Sequence, residues 1–254
     1  MIRLTLALAT ACMLATPVAA QRKIDPDRVD KSQIGSRFKM TEEAVDRGDM
    51  RKIQKKMMRC TASGDWDLAR ELLTKSDPAN TDYEALSVDY ETMLDKMNFD
   101  RCMIRAIPQR ASMMSLRMNP ATMRSAFAEE VYLQDNDEAP VIREGDPEYL
   151  DNRFYVSGEP YIMAEVPARL ADCIVYRAPV KAHEFLDANP TSKGEREAAE
   201  ALGPTVSECL PGDDAEVSFP ISQLRAYVAD GLWARTHYGA TARQNKSDEV
   251  EGTE

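Results

Sequence analysis

Apolar residues recur at three- and four-residue spacing through most of the chain, the pattern of helices that bury one face. Tyr83, Leu86, Tyr90, Met93, Leu94 and Met97 form one such stripe and predict a single helix there. Trp66, Ala69, Leu72 and Leu73 form another, with Asp65 placed as its N-cap and Pro78 beyond its end. Asn119-Pro120 supplies an N-cap followed by a proline at the first helical position, opening a helix to about Leu133. Further helices are predicted near 163–175, 180–187, 194–208 and 222–236, and no strand longer than 154–156. The fold class expected is all-α.

The same blocks occur twice, in order. Cys60-x8-Ala69-x-Glu71-Leu72-Leu73 matches Cys173-x8-Ala182-x-Glu184-Phe185-Leu186 without a gap, with four of fourteen positions identical. Arg37-Phe38 lies upstream of the first block as Arg153-Phe154 does of the second. Pro78 and Pro190 follow them, and Cys102 and Cys209 come next. Met123-Arg124-Ser125-Ala126-Phe127-Ala128-Glu129 then matches Leu224-Arg225-Ala226-Tyr227-Val228-Ala229-Asp230, and Val131-Tyr132 matches Leu232-Trp233. The offsets fall steadily through 116, 113, 107 and 101, as loop shortening in the second copy would produce. Two tandem helical units of about four helices each are expected, related by duplication.

Residues 1–20 read as a cleaved signal peptide. Arg3 precedes an apolar run from Leu4 to about Leu14, and Val18-Ala19-Ala20 offers small residues at the cut. A lipidated Cys12 is a variant reading, set back by Ala9-Thr10-Ala11, which lacks the leucine such a site offers. Localisation outside the cytoplasm is expected, periplasmic or extracellular, and no later stretch is long enough to span a bilayer. Export leaves Cys60, Cys102, Cys173 and Cys209, an even number in an oxidising compartment. Four cysteines allow three connectivities, but the duplication proposes one. In an up-down-up unit the first and third helices end together, so Cys60 would meet Cys102, and Cys173 would meet Cys209. Each bridge would add roughly 3–4 kcal/mol.

Charge and composition narrow the class. Lys+Arg 32 against Asp+Glu 43 gives −11, and removing residues 1–20 takes away only Arg3, leaving −12 over 234 residues. That balance argues against nucleic acid and anionic membrane surfaces as partners. At 43% hydrophobic the chain is too apolar to be wholly disordered. The organisation expected is a signal peptide (1–20), a flexible N-terminus (21–35), helical unit 1 (36–133), an acidic linker (134–151), helical unit 2 (152–239) and a disordered tail (240–254).

Reacting groups are hard to find. The two histidines, His183 and His237, sit with no nucleophile or metal motif, and the repeat puts His183 where the first copy has Arg70. A solvent-exposed, non-catalytic role is expected of both. Nucleophile elbows, phosphate loops, H-E-x-x-H and C-x-x-C are absent. The acidic groups Asp25, Asp27, Asp30 and Asp135, Asp137, Glu138 lack the glycine and closing glutamate of a calcium loop. The acids are numerous enough to hide a carboxylate pair for hydrolysis, a geometry sequence does not define. Met57, Met58, Met113, Met114, Met118 and Met123 raise soft-metal Cu(I) binding as a lesser alternative to core packing. Trp66 reads as a core anchor or a groove lining.

The W-x2-A-x2-L-L spacing at Trp66 is similar to tetratricopeptide helices, but the period here is about 100 residues rather than 34, so that family is not carried over. The run Arg225-Ala226-x-x-Ala229-x-x-Leu232-Trp233, with paired-cysteine helical units after a signal peptide, resembles uncharacterised exported bacterial α-helical proteins. The resemblance covers most of the mature chain and carries no activity. The working expectation is a non-enzymatic interaction or structural module of the cell envelope, with an envelope protein or peptide as partner, no cofactor and no catalytic residue. A carboxylate hydrolase is the alternative.

Overall fold

A computed structural model of the chain describes residues 47–108, 118–156, 161–210 and 220–251. The predicted signal peptide, the N-terminus expected to be flexible, Arg37-Phe38, Met113 and Met114 lie outside the described residues. The helices are α1 (Arg47–Ala62), α2 (Trp66–Thr74), α3 (Tyr90–Lys96), α4 (Phe99–Ala106), α5 (Pro120–Asp135), α6 (Tyr161–Arg177), α7 (Pro179–Asp187), α8 (Lys193–Cys209) and α9 (Ile221–Glu251). Among the described residues there is no strand, only an isolated bridge between Ser76 and Thr81. The protein is therefore all-α, with five described helices before residue 136 and four after 156.

Local chemistry starts several of these helices. The Asp65 carboxylate accepts from the Leu68 N–H at 3.0 Å, and Asn119 Oδ1 accepts from the Thr122 N–H at 2.7 Å with Pro120 behind it. Ser192 caps α8 in the same way, accepting from the Glu195 N–H at 3.0 Å.

Two expectations are corrected. The stripe from Tyr83 to Met97 is not one helix: Tyr83 and Leu86 sit in turns, and α3 begins only at Tyr90, where the Asp89 carboxylate accepts the Thr92 N–H at 2.8 Å. Left-handed Ser87 (φ 53°) and Asn98 (φ 55°) break the chain on either side of α3. The hydrophobic spacing was real, but these local conformations divide it. The tail expected to be disordered from residue 240 is instead helical to Glu251. Poverty in bulky apolar residues suggested disorder there. Ala240, Ala242, Arg243 and Gln244 are nevertheless good helix formers, no proline intervenes, and Ala242 is buried.

Cys60 on α1 is bonded to Cys102 on α4, and Cys173 on α6 to Cys209 at the end of α8, with Cα separations of 5.5 and 5.8 Å. These are the pairings the repeat argument proposed. The two halves do not enclose separate cores. Phe127, Val131 and Tyr132 of α5, Leu72 and Leu73 of α2, Phe185 and Leu186 of α7, and Val228 and Leu232 of α9 belong to one buried cluster.

The segment between the halves is fastened down. Arg235 donates to the carbonyls of Pro147 and Glu148 at 2.6 and 2.7 Å. The Leu150 N–H donates to Asp172 and the Val156 N–H to Asp77, at 2.9 and 2.8 Å. Arg153 reaches Asp230 at 2.8 Å and Asp172 only at 3.6 Å. Its charge is thus committed to Asp230, and burial dominates at Asp172, pushing that carboxyl up to about 6.

Candidate functional site

At the centre of the fold α5 and α9 run antiparallel, and their charges are buried in a reciprocal pattern. Arg124 of α5 donates to Asp230 of α9 at 2.5 Å. Arg225 of α9 grips both oxygens of Glu129 of α5 at 2.8 Å. Each arginine also reaches toward the end of a shorter helix. Arg124 meets the Ser76 hydroxyl beyond α2 at 2.9 Å, and Arg225 meets the carbonyls of Phe185, Leu186 and Ala188 at the end of α7, at 3.0, 2.5 and 3.1 Å. Arginine suits such places because its planar fork fills several acceptors while staying charged. Burial opposes ionisation of Glu129, but Arg225 and Lys55 outweigh it and hold the carboxyl below the usual range. Asp230 is likewise lowered, by Arg153 and Arg124 against the same burial.

Beside this pair lies a cavity of about 640 Å³, bounded by α1, α5 and the first turns of α9. Arg51, Gln54, Lys55 and Met58 line it from α1, and Ser125, Glu129 and Glu130 from α5. Most of its charges are matched. Arg51 makes a two-pronged contact with Glu195 at 2.9 and 2.5 Å, Glu195 also takes the Thr191 N–H at 2.7 Å, and Lys55 donates to Glu129 at 2.5 Å.

Glu130 is the exception. It is 4% exposed, and its nearest cation is Arg59, with Nε 4.0 Å from Oε2, beyond hydrogen-bond reach. Among the described residues no hydrogen bond reaches its carboxyl. Burial, and then the neighbouring Glu129 charge, push it up to about 7 despite Lys55, Arg59 and Arg225. Near neutrality this carboxyl is poised between its two protonation states, inside a cavity.

Chain register explains the spacing of α1 from α5. Counting back from Cys60 and Cys173, the lining positions Arg51, Gln54, Lys55 and Met58 of α1 match Ala164, Pro167, Ala168 and Ala171 of α6. The three alanines are fully buried. At the offset that aligns Arg124 with Arg225, Glu130 matches Gly231. A Cβ on Gly231 would stand 2.6 Å from the Ala171 carbonyl oxygen, so α6 lies directly against α9. Long polar side chains on α1 and a glutamate on α5 keep the equivalent helices of the first half apart.

The histidines have partners. His183 is half-buried, with Nδ1 2.8 Å from the Tyr132 hydroxyl, rather than simply solvent-exposed. His237 is exposed and stacks on Trp233 with ring centroids 5.0 Å apart, at the rim of a smaller cavity of about 320 Å³. Met57, Met58, Met93, Met97 and Met123 are buried in the apolar core, and Trp66 packs partly against it. Among the described residues no cluster of three or more His, Cys, Asp or Glu is placed to hold a metal, and no helix is long and apolar enough to cross a membrane. Sequence reasoning missed Glu130 and the buried arginines. The available signal was an arginine followed five residues later by an acid, at matched positions of the two aligned blocks: Arg124 and Glu129, Arg225 and Asp230.

No protein-family model, curated protein or solved structure matches this chain.

Proposed function

We propose that this is an exported cell-envelope binding protein, built from a duplicated helical unit, that holds a ligand in the groove between α1 and α5. The observation that carries the reading is the groove itself. It lies where the first half departs from the second, and it contains a buried carboxyl that forms no hydrogen bond with the described residues. Such a group costs stability, and rule-breaking of this kind gathers at functional sites. Reciprocal contacts support duplication: Arg124 and Glu129 of one half meet Asp230 and Arg225 of the other, as matched patches do across a twofold axis. The residues 1–20 and two disulfides that suit an oxidising compartment support export.

One observation favours a second reading, a carboxylate hydrolase. Glu129 and Glu130 are neighbours whose acidities are driven apart, as acid and base partners are in such enzymes. Glu129, however, has both oxygens held by Arg225 and one also by Lys55, which leaves it no freedom to attack or take a proton. Binding is therefore the stronger reading. A chemical-shift screen of small polar compounds and short peptides tests it. Shifts should collect on Gln54, Ser125 and Ser222, with the compounds recovered unchanged. Turnover of a compound, or shifts confined to other faces, overturns the proposal. Export is checked separately by sequencing the N-terminus of protein recovered from the envelope, which should begin at Gln21.

A further inference from the structure

The cations of the groove are already engaged by acids, while one acid is not engaged by a cation at bonding distance. Arg51 is held by Glu195, and Arg225 and Lys55 by Glu129. An anionic ligand would have to break one of these short pairs. A cationic ligand needs to displace nothing from Glu130, which accepts no hydrogen bond from the described residues and faces the cavity. The rest of the lining is uncharged, and much of it is small, including Ala121, Thr122, Ser125, Ala126 and Ser222. That surface suits an aliphatic stem with few polar demands of its own.

We propose that the α1–α5 groove recognises a ligand carrying a primary ammonium or guanidinium group, such as a lysine or arginine side chain of a peptide, which seats against the Glu130 carboxylate. This deepens the binding reading above and rests on it. Cations are what a buried, unsatisfied carboxylate recruits, because a charge-assisted hydrogen bond supplies what burial took away.

The charged groups facing Glu130 are Lys55 and Arg59 from α1, Glu129 on its own helix and Arg225 from α9. On α2, Arg70 is occupied by Asp135, and on α7, His183 by Tyr132. Binding a cation requires the ionised carboxylate, so it releases the Glu130 proton wherever the free protein carries one. Affinity should therefore fall as pH drops below about 7, tenfold for each further unit.

The test uses the full mature chain and acetylated pentapeptide amides of alanine with a central lysine, arginine, norleucine or glutamate. Affinity is read by calorimetry, and location by chemical shifts, between pH 5 and 8. The lysine and arginine peptides should bind in the groove at least tenfold tighter than norleucine at pH 8, and lose that advantage by pH 5. Glu130→Gln should reduce them to the norleucine level and remove the pH dependence. Its fold is checked by an unchanged spectrum for residues outside the groove, and Glu130→Asp should retain part of the cation preference. Norleucine binding as tightly as lysine, or glutamate binding tightest, overturns the cation proposal and leaves the groove reading standing. If none of the four shifts a groove residue, the groove reading falls with it.

Discussion

Replacing Glu130 by Gln measures what the groove carboxyl costs the fold. In the native protein its pKa is pushed up to about 7 from an ordinary 4.5, chiefly by burial. Between those values the native state holds a proton that the unfolded chain has lost, so stability falls as pH rises through that window. Below about pH 4.5 the group contributes no penalty, and above about 7 the penalty is complete. The interval from 4.5 to about 7, at about 1.4 kcal/mol per pH unit, amounts to about 3 kcal/mol. Solvent screening does not reduce this figure much, because the side chain is only 4% exposed. Glutamine keeps the shape and cannot ionise. The Glu130→Gln variant should match the wild type near pH 4.5 and exceed it by about 3 kcal/mol at pH 8. Urea unfolding at four or five pH values, with disulfides intact, gives both curves. Subtracting them removes the titrations the two proteins share, including that of Asp172. A difference that stays flat with pH would refute the reasoning. So would a variant less stable at pH 8, which would mean that the carboxylate is ionised and usefully paired with Arg59 or Lys55.

Other perturbations probe the frame around the groove. Arg225→Met removes the fork on Glu129 and leaves that buried acid with Lys55 alone. A loss of about 3–5 kcal/mol in chemical denaturation is expected, with Arg225→Met/Glu129→Met losing less than the sum of the single changes. Removing Cys60–Cys102 with paired serines frees a loop of sequence separation 42 and should cost about 4 kcal/mol, read as a lower denaturation midpoint. Gly231→Ala drives a Cβ to 2.6 Å from the Ala171 carbonyl oxygen and should lower stability by about 1–3 kcal/mol.

Helices, caps and bridges were legible in the sequence because each has a short-range cause. Asp65 and Asn119 cap the helices they precede, and the repeat placed Cys60 with Cys102 and Cys173 with Cys209. The stripe from Tyr83 to Met97 misled because hydrophobic spacing does not register where a single residue turns left-handed, as Ser87 and Asn98 do. The tail misled because absence of core residues is not absence of helix propensity. The site was not legible for a different reason. Arg124, Glu129, Glu130 and Arg225 read as ordinary surface charges until α5 and α9 are brought face to face, and that contact joins residues about 100 positions apart. The groove needs still more information, since it depends on how closely α1 approaches α5.

That approach distance is set by a handful of matched positions, and there the two halves part company. Along α5 and α9 they agree: an arginine, then an acid five residues on, each answering the other across the pair. Every charge in that exchange is neutralised at bonding distance, so it explains cohesion without calling for a ligand. One helix outward the agreement ends. The second half presents Ala164, Ala168 and Ala171 to a helix carrying Gly231, and the backbones close on each other. The first half presents Arg51, Lys55 and Met58 to a helix carrying Glu130, and space remains. Both solutions hold a helix beside its neighbour, so structure alone did not require the second. At those matched positions the alanine–glycine version places no ionisable side chain. Departing from that solution at Glu130 costs about 3 kcal/mol near neutral pH. Asp172 on α6 is also buried and raised, to about 6, but it takes the Leu150 N–H, whereas Glu130 takes no hydrogen bond from the described residues and lines a cavity. The binding proposal is sited there because, among the described residues, Glu130 accepts no hydrogen bond and its nearest cation, Arg59, stands 4.0 Å away.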